Sequence, residues 1–164
     1  MTTLYFVNFE GTAAEGKGDV VEASHKQWFK MDDVGGCQVS QEIGGSEVGY
    51  VDNNTRNPIS ISALTMSVAH SSVAPYLHQI KINNDVIKKI TVHRMRNDNK
   101  QFVVDEEVII ENARISEFYN ENDMTAASFG GFSTFEKSYY STTPDGNKTP
   151  MRVGYDLAAA TAKA

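Results

Sequence analysis

The stretch from His70 to Ile80, HSSVAPYLHQI, gathers two serines, two histidines and a proline between segments rich in β-branched residues. Serine beside histidine is the material of acyl transfer, with the hydroxyl as nucleophile and the imidazole as base. His70 or His78 would be the base for Ser71 or Ser72, but a nucleophilic serine of this kind sits on a glycine-flanked elbow that exposes it, and neither serine has one. The same residues make a helix entry. Ser71 or Ser72 caps free backbone N–H groups, Pro75 falls in the first turn, and Tyr76, Leu77 and Ile80 share one face. Ser71, Ser72, Pro75 and Leu77 are therefore assigned to capping and packing, and no residue is assigned to catalysis.

The other chemistry-bearing residues give no stronger pattern. His25, His70, His78 and His93 show no metal-ligand spacing, and Cys37, after two glycines, has no partner in the sequence. The carboxylates at Asp32–Asp33 and Asp105–Glu106–Glu107 read as solvated turn edges rather than a glycosidase pair. Val51 to Asn57, VDNNTRN, has oxygen ligands but not the spaced calcium loop that ends in glutamate. No phosphate-cradling glycine motif is present. The expectation is a protein without metal or cofactor, and not an enzyme.

Bulk composition narrows the class. The chain has 164 residues, 40% hydrophobic and 22% charged, which fits a single domain, 1–164, with its own core. Its formal charge is −6, and no Lys/Arg run is interleaved with aromatics, so nucleic acid is not an expected partner. One cysteine allows no intrachain disulfide, in keeping with a reducing cytoplasm. The start, MTTLYFVNFEG, lacks a basic n-region and is not a cleavable signal peptide, and no window reaches the roughly 20 apolar residues of a membrane helix.

The elements that would carry these residues are mostly strands. Tyr5, Val7 and Phe9 alternate in an opening strand, and further strands are expected at 28–31, 39–43, 59–68, 87–95, 102–104, 108–118, 132–140 and 151–157. The apolar phase changes near Ala63, which suggests a bulge or a strand passing between packed faces. Asp32–Gly36 and Asn120–Gly131 read as separators, and 157–164 as an Ala-rich tail. Gly44 to Pro58 is a long polar loop with Tyr50 and Val51 near its middle, and a loop of this length in a small domain is usually functional. The fold class is mainly β: a barrel of two packed antiparallel sheets, with one short α-helix at the side and an extended loop.

In order and pattern the chain resembles the haemolysin-coregulated protein (Hcp) family, tube subunits of type VI secretion systems that are themselves similar to phage tail-tube proteins. FVNFEG is similar to the family's opening strand and turn. GKGDVVEASHKQWFKM resembles its glycine–acidic–loop–His–Lys segment, through Gly18, His25 and Lys26. Pro75 and Leu77 match the helix entry, where Ser71 and Ala74 stand in place of the family's Asp and Ser. Asn112, Ile115 and Ser116 match an Asn-x-x-Ile-Ser core, FSTFEKSYYS the penultimate strand, and GYDLAAATAKA the tail.

The resemblance implies a homohexameric ring that stacks into a tube, is expelled by a contractile sheath, and carries effectors. Its partners would be further copies of itself and the sheath, spike and effector proteins, with no insertion into a membrane. It would be cytoplasmic before firing and then secreted without a cleavable signal. Ring stacking would fall to the long loop, through Ser46, Glu47, Tyr50, Val51, Asp52, Asn53 and Asn54. The alternatives are a tail-tube protein of a phage or other contractile device and a carbohydrate-binding β-sandwich, the latter thinly supported by a single tryptophan, Trp28.

Overall fold

The computed structural model describes residues 3–41, 59–69, 72–98, 101–142, 148–157 and 161–163. It is mainly β, with two antiparallel sheets and one short helix. The strands are β1 (Leu4–Glu10), β2 (Phe29–Met31), β3 (Asp33–Gly36), β4 (Val39–Gln41), β5 (Ile59–Ile61), β6 (Leu64–Ala69), β7 (Ile87–Asp98), β8 (Gln101–Glu121), β9 (Met124–Gly130), β10 (Thr134–Thr142), β11 (Lys148–Asp156) and β12 (Thr161–Lys163). The helix α1 spans Val73–Asn83, and a single 3-10 turn covers Ala23–His25.

The first sheet runs β12-β11-β10-β8-β7-β1-β2. The second runs β3-β6-β9 and ends on the far half of β8. Two strand segments therefore belong to both sheets. β2 passes into β3 at Asp32, whose N–H donates to Ser67 O (3.0 Å) while its carboxylate accepts the Ala69 N–H (2.8 Å). Asp32 is solvent-exposed at the bend, as expected for a turn edge, and it also ties the corner to the end of β6. β8 makes the other crossing. Its residues pair with β7 and β10 up to Ala113, and with β9 from Arg114 onward. The pairings thus follow a circuit, β1–β2/β3–β6–β9–β8–β7–β1, around one core.

The corner in β8 explains a sequence motif. Asn112 has φ +58°, a left-handed conformation that asparagine tolerates better than most residues, and its amide donates to Ser133 Oγ (2.9 Å). Ile115 is buried, and Ser116 is the extra residue of a bulge where the register steps from Ile115 to Glu117. Bulges bend a strand and increase its twist. Asn112, Ile115 and Ser116 are the hinge that carries one strand from sheet to sheet.

Several expected boundaries change. Asp33–Gly36 is strand β3, not a separator, because its glycines let it lie close against β6. Asn120–Gly131 contains β9, whose inward residues Thr125, Ala127 and Phe129 are buried. The expected strands 102–104 and 108–118 are one strand of 21 residues. The phase change near Ala63 is the break between β5 and β6, and within the tail 157–164, Thr161–Lys163 pairs with β11.

The core is built from alternate residues of these strands. Phe9 packs on Phe29 and Phe129, with ring centroids 5.9 and 5.6 Å apart. Val73, Leu77 and Ile80, spaced by four and three along α1, are buried in the same core, and the helix lies against the far half of β8, where His78 stacks on Phe118 at 5.1 Å. α1 stops at Asn84, in the left-handed conformation, whose N–H returns to the carbonyls of Ile80 and Lys81. Among the described residues no helix is long and apolar enough to cross a membrane.

Candidate functional site

The residues assigned to the stacking loop, Ser46, Glu47, Tyr50, Val51, Asp52, Asn53 and Asn54, lie outside the described residues, as does Ser71. Ser72 stands at the helix N-cap but departs from its expected role. It already has helical dihedrals (φ −65°, ψ −10°) and makes no side-chain capping bond, since capping by a hydroxyl requires an extended backbone at that position. Pro75 is exposed in the first turn, and Leu77 is 1% exposed. The serine–histidine stretch supplies a packing helix.

Among the described residues, three surfaces are suited to contact with other molecules. The first is a ledge that β10 and β11 form beyond the core, where Tyr139 faces Met151 across the ladder and Lys137 faces Val153. Tyr139, Met151 and Val153 are exposed apolar side chains, and the Lys137 ammonium sits 4.9 Å from the Tyr139 ring centre. The second is an open trough on the second sheet, lined by Thr65, Ser67, Ala126 and Ser128 and flanked by Asp33, Glu117 and Tyr119. Small hydroxylated side chains give it hydrogen-bonding capacity without a deep wall. The third is the outer edge of the first sheet at β12, three residues long.

The carboxylates of Asp105–Glu106–Glu107 are mid-strand, and the neighbouring strands supply their partners. Glu106 takes Arg94 at 3.6 Å and Lys137 at 3.7 Å, and Asp105 lies 3.9 Å from Arg94 as the extra residue of a second bulge. Cys37 lines a small cavity with Tyr5, Val34, Arg94 and Lys137. Burial pushes its thiol up to about 11, against a weaker opposing effect of Lys137. The thiolate is the reactive form, and a rise from 9.0 to about 11 leaves about a hundredfold less of it at pH 8. Alkylation of Cys37 by iodoacetamide at pH 8 should therefore be about a hundredfold slower in the folded protein than in urea. Equal rates, followed by mass spectrometry, would show the thiol to be open.

One cluster was invisible in the linear sequence. His25 and His93, 68 positions apart, face each other with Nε2 of the first 2.6 Å from Nδ1 of the second. His25 Nδ1 bonds Glu22 Oε2 at 2.5 Å, and His93 Nε2 bonds Glu107 Oε2 at 2.6 Å. Trp28 packs on both rings, at 4.7 and 5.0 Å, and Phe6 packs on His25. Two nitrogens sharing a zinc ion tetrahedrally, each about 2.0–2.1 Å from it, stand about 3.3 Å apart, so the 2.6 Å approach is a hydrogen bond and not a ligand pair. The only linear signal was the residue type, because β7 and the segment after β1 meet only in the folded chain.

No family model and no curated protein matches this sequence. Solved structures do. The crystal structure of Hcp1 from Salmonella typhimurium superposes with a TM-score of 0.66 at 13% identity, covering 99% of this chain and 100% of that one. A structure described as a type six secretion system protein gives 0.77 at 9% identity, covering 98% and 99%. Hcp1 from E. coli EAEC 042, a double mutant, gives 0.67 at 11% identity, covering 96% and 99%. The chain has the Hcp fold over nearly its whole length.

Proposed function

We propose that this protein is a structural tube subunit of a type VI secretion system, forming hexameric rings that stack and are expelled with bound effectors by a contracting sheath. The observation that carries the reading is nearly full-length coverage in both directions against Hcp structures, at TM-scores of 0.66 and 0.67. The sequence resemblance through Asn112, Ile115 and Ser116 supports it independently, because those residues form the hinge on which the two-sheet fold turns. In this role the protein works by its surfaces and not by catalysis. Its partners are its own copies, then sheath, spike and effector proteins, and it moves from the cytoplasm to the outside. The ledge at Tyr139, Met151 and Val153 offers apolar area that a ring neighbour would cover.

Negative-stain microscopy of the purified protein should show sixfold rings, and monomers at micromolar concentration would overturn the proposal. Deleting Ser46 to Thr55 then tests the stacking loop. Weak contacts repeated around a ring multiply, so the shortened protein should keep its rings but lose tube assembly and export into the culture supernatant. Export at the normal level would remove the loop from stacking, and loss of the rings themselves would place it in the lateral interface.

A further inference from the structure

Across the outer face of the first sheet one row of side chains runs Lys30, Phe6, His93, Glu107, Ser138, Arg152, each directly opposite the next. The segment between β1 and β2, Gly11 to Trp28, folds over this row and places His25 against His93. Among the described residues the backbone hydrogen bonds of this segment are internal, among them Gly18 N–H to Gln27 O (3.0 Å), Gln27 N–H to Val20 O (2.8 Å) and Val20 N–H to Trp28 O (3.2 Å), and one side-chain bond, Thr12 Oγ1 to Phe9 O (3.4 Å), ties its start to β1. Ala14 of the segment, buried in the core, and the rings of His25 and Trp28, packed on His93 and in the case of His25 on Phe6, make its contact with the body of the protein.

The chain Glu22–His25–His93–Glu107 has three hydrogen bonds in series, and each needs one proton between its two heavy atoms. Two neutral imidazoles bring two protons to two ionised carboxylates. With two, whichever tautomers are chosen, one of the three contacts sets lone pair against lone pair. With three, every contact is satisfied: two carboxylates, one imidazole and one imidazolium, for a net charge of −1. A fourth proton, on the ring that is still neutral, sets N–H against N–H at 2.6 Å. His25 is 3% exposed, so water does not replace a lost partner without the segment moving.

We propose that Glu22, His25, His93 and Glu107 form a proton-counted latch, which holds the Gly11–Trp28 segment on the first sheet within a bounded window of pH and releases it on either side. The charged and titratable groups facing the latch are Lys30 from β2, Glu107 from β8, Tyr140 from β10 and Arg152 from β11, with Glu22 on the segment itself. On the acid side the linkage signs agree. Burial lowers the His93 ring below its ordinary value, against the hydrogen bond from Glu107, and the bond from His25 lowers Glu22. A lowered folded value in either group means that the unfolded chain binds more protons. Stability therefore falls as pH drops below 6.5 for His93, and below 4.5 for Glu22.

Trp28 is the only tryptophan and touches both rings, so its fluorescence reads the latch directly. In the full-length protein, Trp28 emission should change both below and above a plateau near neutral pH, while far-UV circular dichroism stays constant. Amide exchange across Gly11–Trp28 should rise at least tenfold at both edges, with β7 and β8 still protected. Replacing Glu107→Gln keeps an acceptor for His93 but removes a negative charge that favours ring protonation, so both edges should move to lower pH. A Trp28 signal that is flat from pH 5 to 9, or identical in wild type and E107Q, would overturn the latch. Nitrogen-15 spectra of the wild type at pH 7 give a second reading that needs no variant. One of the two rings should carry protons on both nitrogens, and two neutral rings would refute the proton count.

Discussion

Leu77→Asp should abolish the soluble fold. The Leu77 side chain is 1% exposed, between Val73 and Ile80 on the buried face of α1. Removing such a leucine costs about 2–5 kcal/mol through lost burial and the cavity left behind. An unpaired carboxylate in its place adds several more, or forces the helix off the core. The total reaches the roughly 5–15 kcal/mol by which a domain of this size is stable. The variant should therefore appear in inclusion bodies, or as an expanded monomer with a lost melting transition. Leu77→Met conserves volume and should cost less than about 1.5 kcal/mol. A soluble L77D protein melting with the wild type would mean that this face of α1 is not packed.

Gly36→Ala should weaken the fold without abolishing it, and it tests a different joint. Gly36 ends β3 at φ +83°, and a Cβ there would stand 2.0 Å from the Ala63 carbonyl oxygen. Neither partner can yield alone, because Ala63 O also accepts the Cys37 N–H at 3.2 Å and the next residue opens β6. The methyl group would push the end of β3 away from the start of β6, where Gly36 pairs with Leu64. The left-handed strain and the displaced ladder together should destabilise by roughly 2–4 kcal/mol, measured as a fall in the urea midpoint. Gly35→Ala is the internal control, because its nearest added contact is Thr65 Oγ1 at an ordinary 3.5 Å. If the two variants unfold at the same urea concentration, the close approach of β3 to Ala63 is wrong.

How much of this was legible in the sequence depended on where each residue found its partner. Tyr5, Val7 and Phe9 announce β1 because alternation is a local property, and Tyr76, Leu77 and Ile80 announce α1 for the same reason. β3 was hidden because Gly35 and Gly36 read as a turn, whereas here they allow close pairing with β6. β9 was hidden because its inward residues include threonine and alanine, which carry little apolar signal although both are buried. β8 was split in two at Asp105–Glu106–Glu107. Three consecutive carboxylates look solvated until Arg94, Lys137 and His93 are brought beside them by other strands. The histidine cluster failed in the same way, since nothing local to His25 points to His93. The seven loop residues proposed for stacking stand on the resemblance alone.

The sharing of β8 between sheets also sets an order of events during synthesis. β8 pairs with β7 before it in the chain and with β9 and β10 after it, so the second sheet is not complete until β9 ends at Gly130, and the first waits for β10, β11 and β12 beyond it. β1 meets β2 early, through three residues, but β7, its partner along all seven, begins at Ile87, 77 positions after β1 ends at Glu10. Pairings this distant must overcome loop-closure entropy before any contact rewards them, and domains dominated by them fold in milliseconds to seconds rather than microseconds. The emerging chain therefore carries the β7-facing edge of β1 unpaired until β7 has been made, and an unpaired strand edge of this kind makes a partly made chain prone to aggregation.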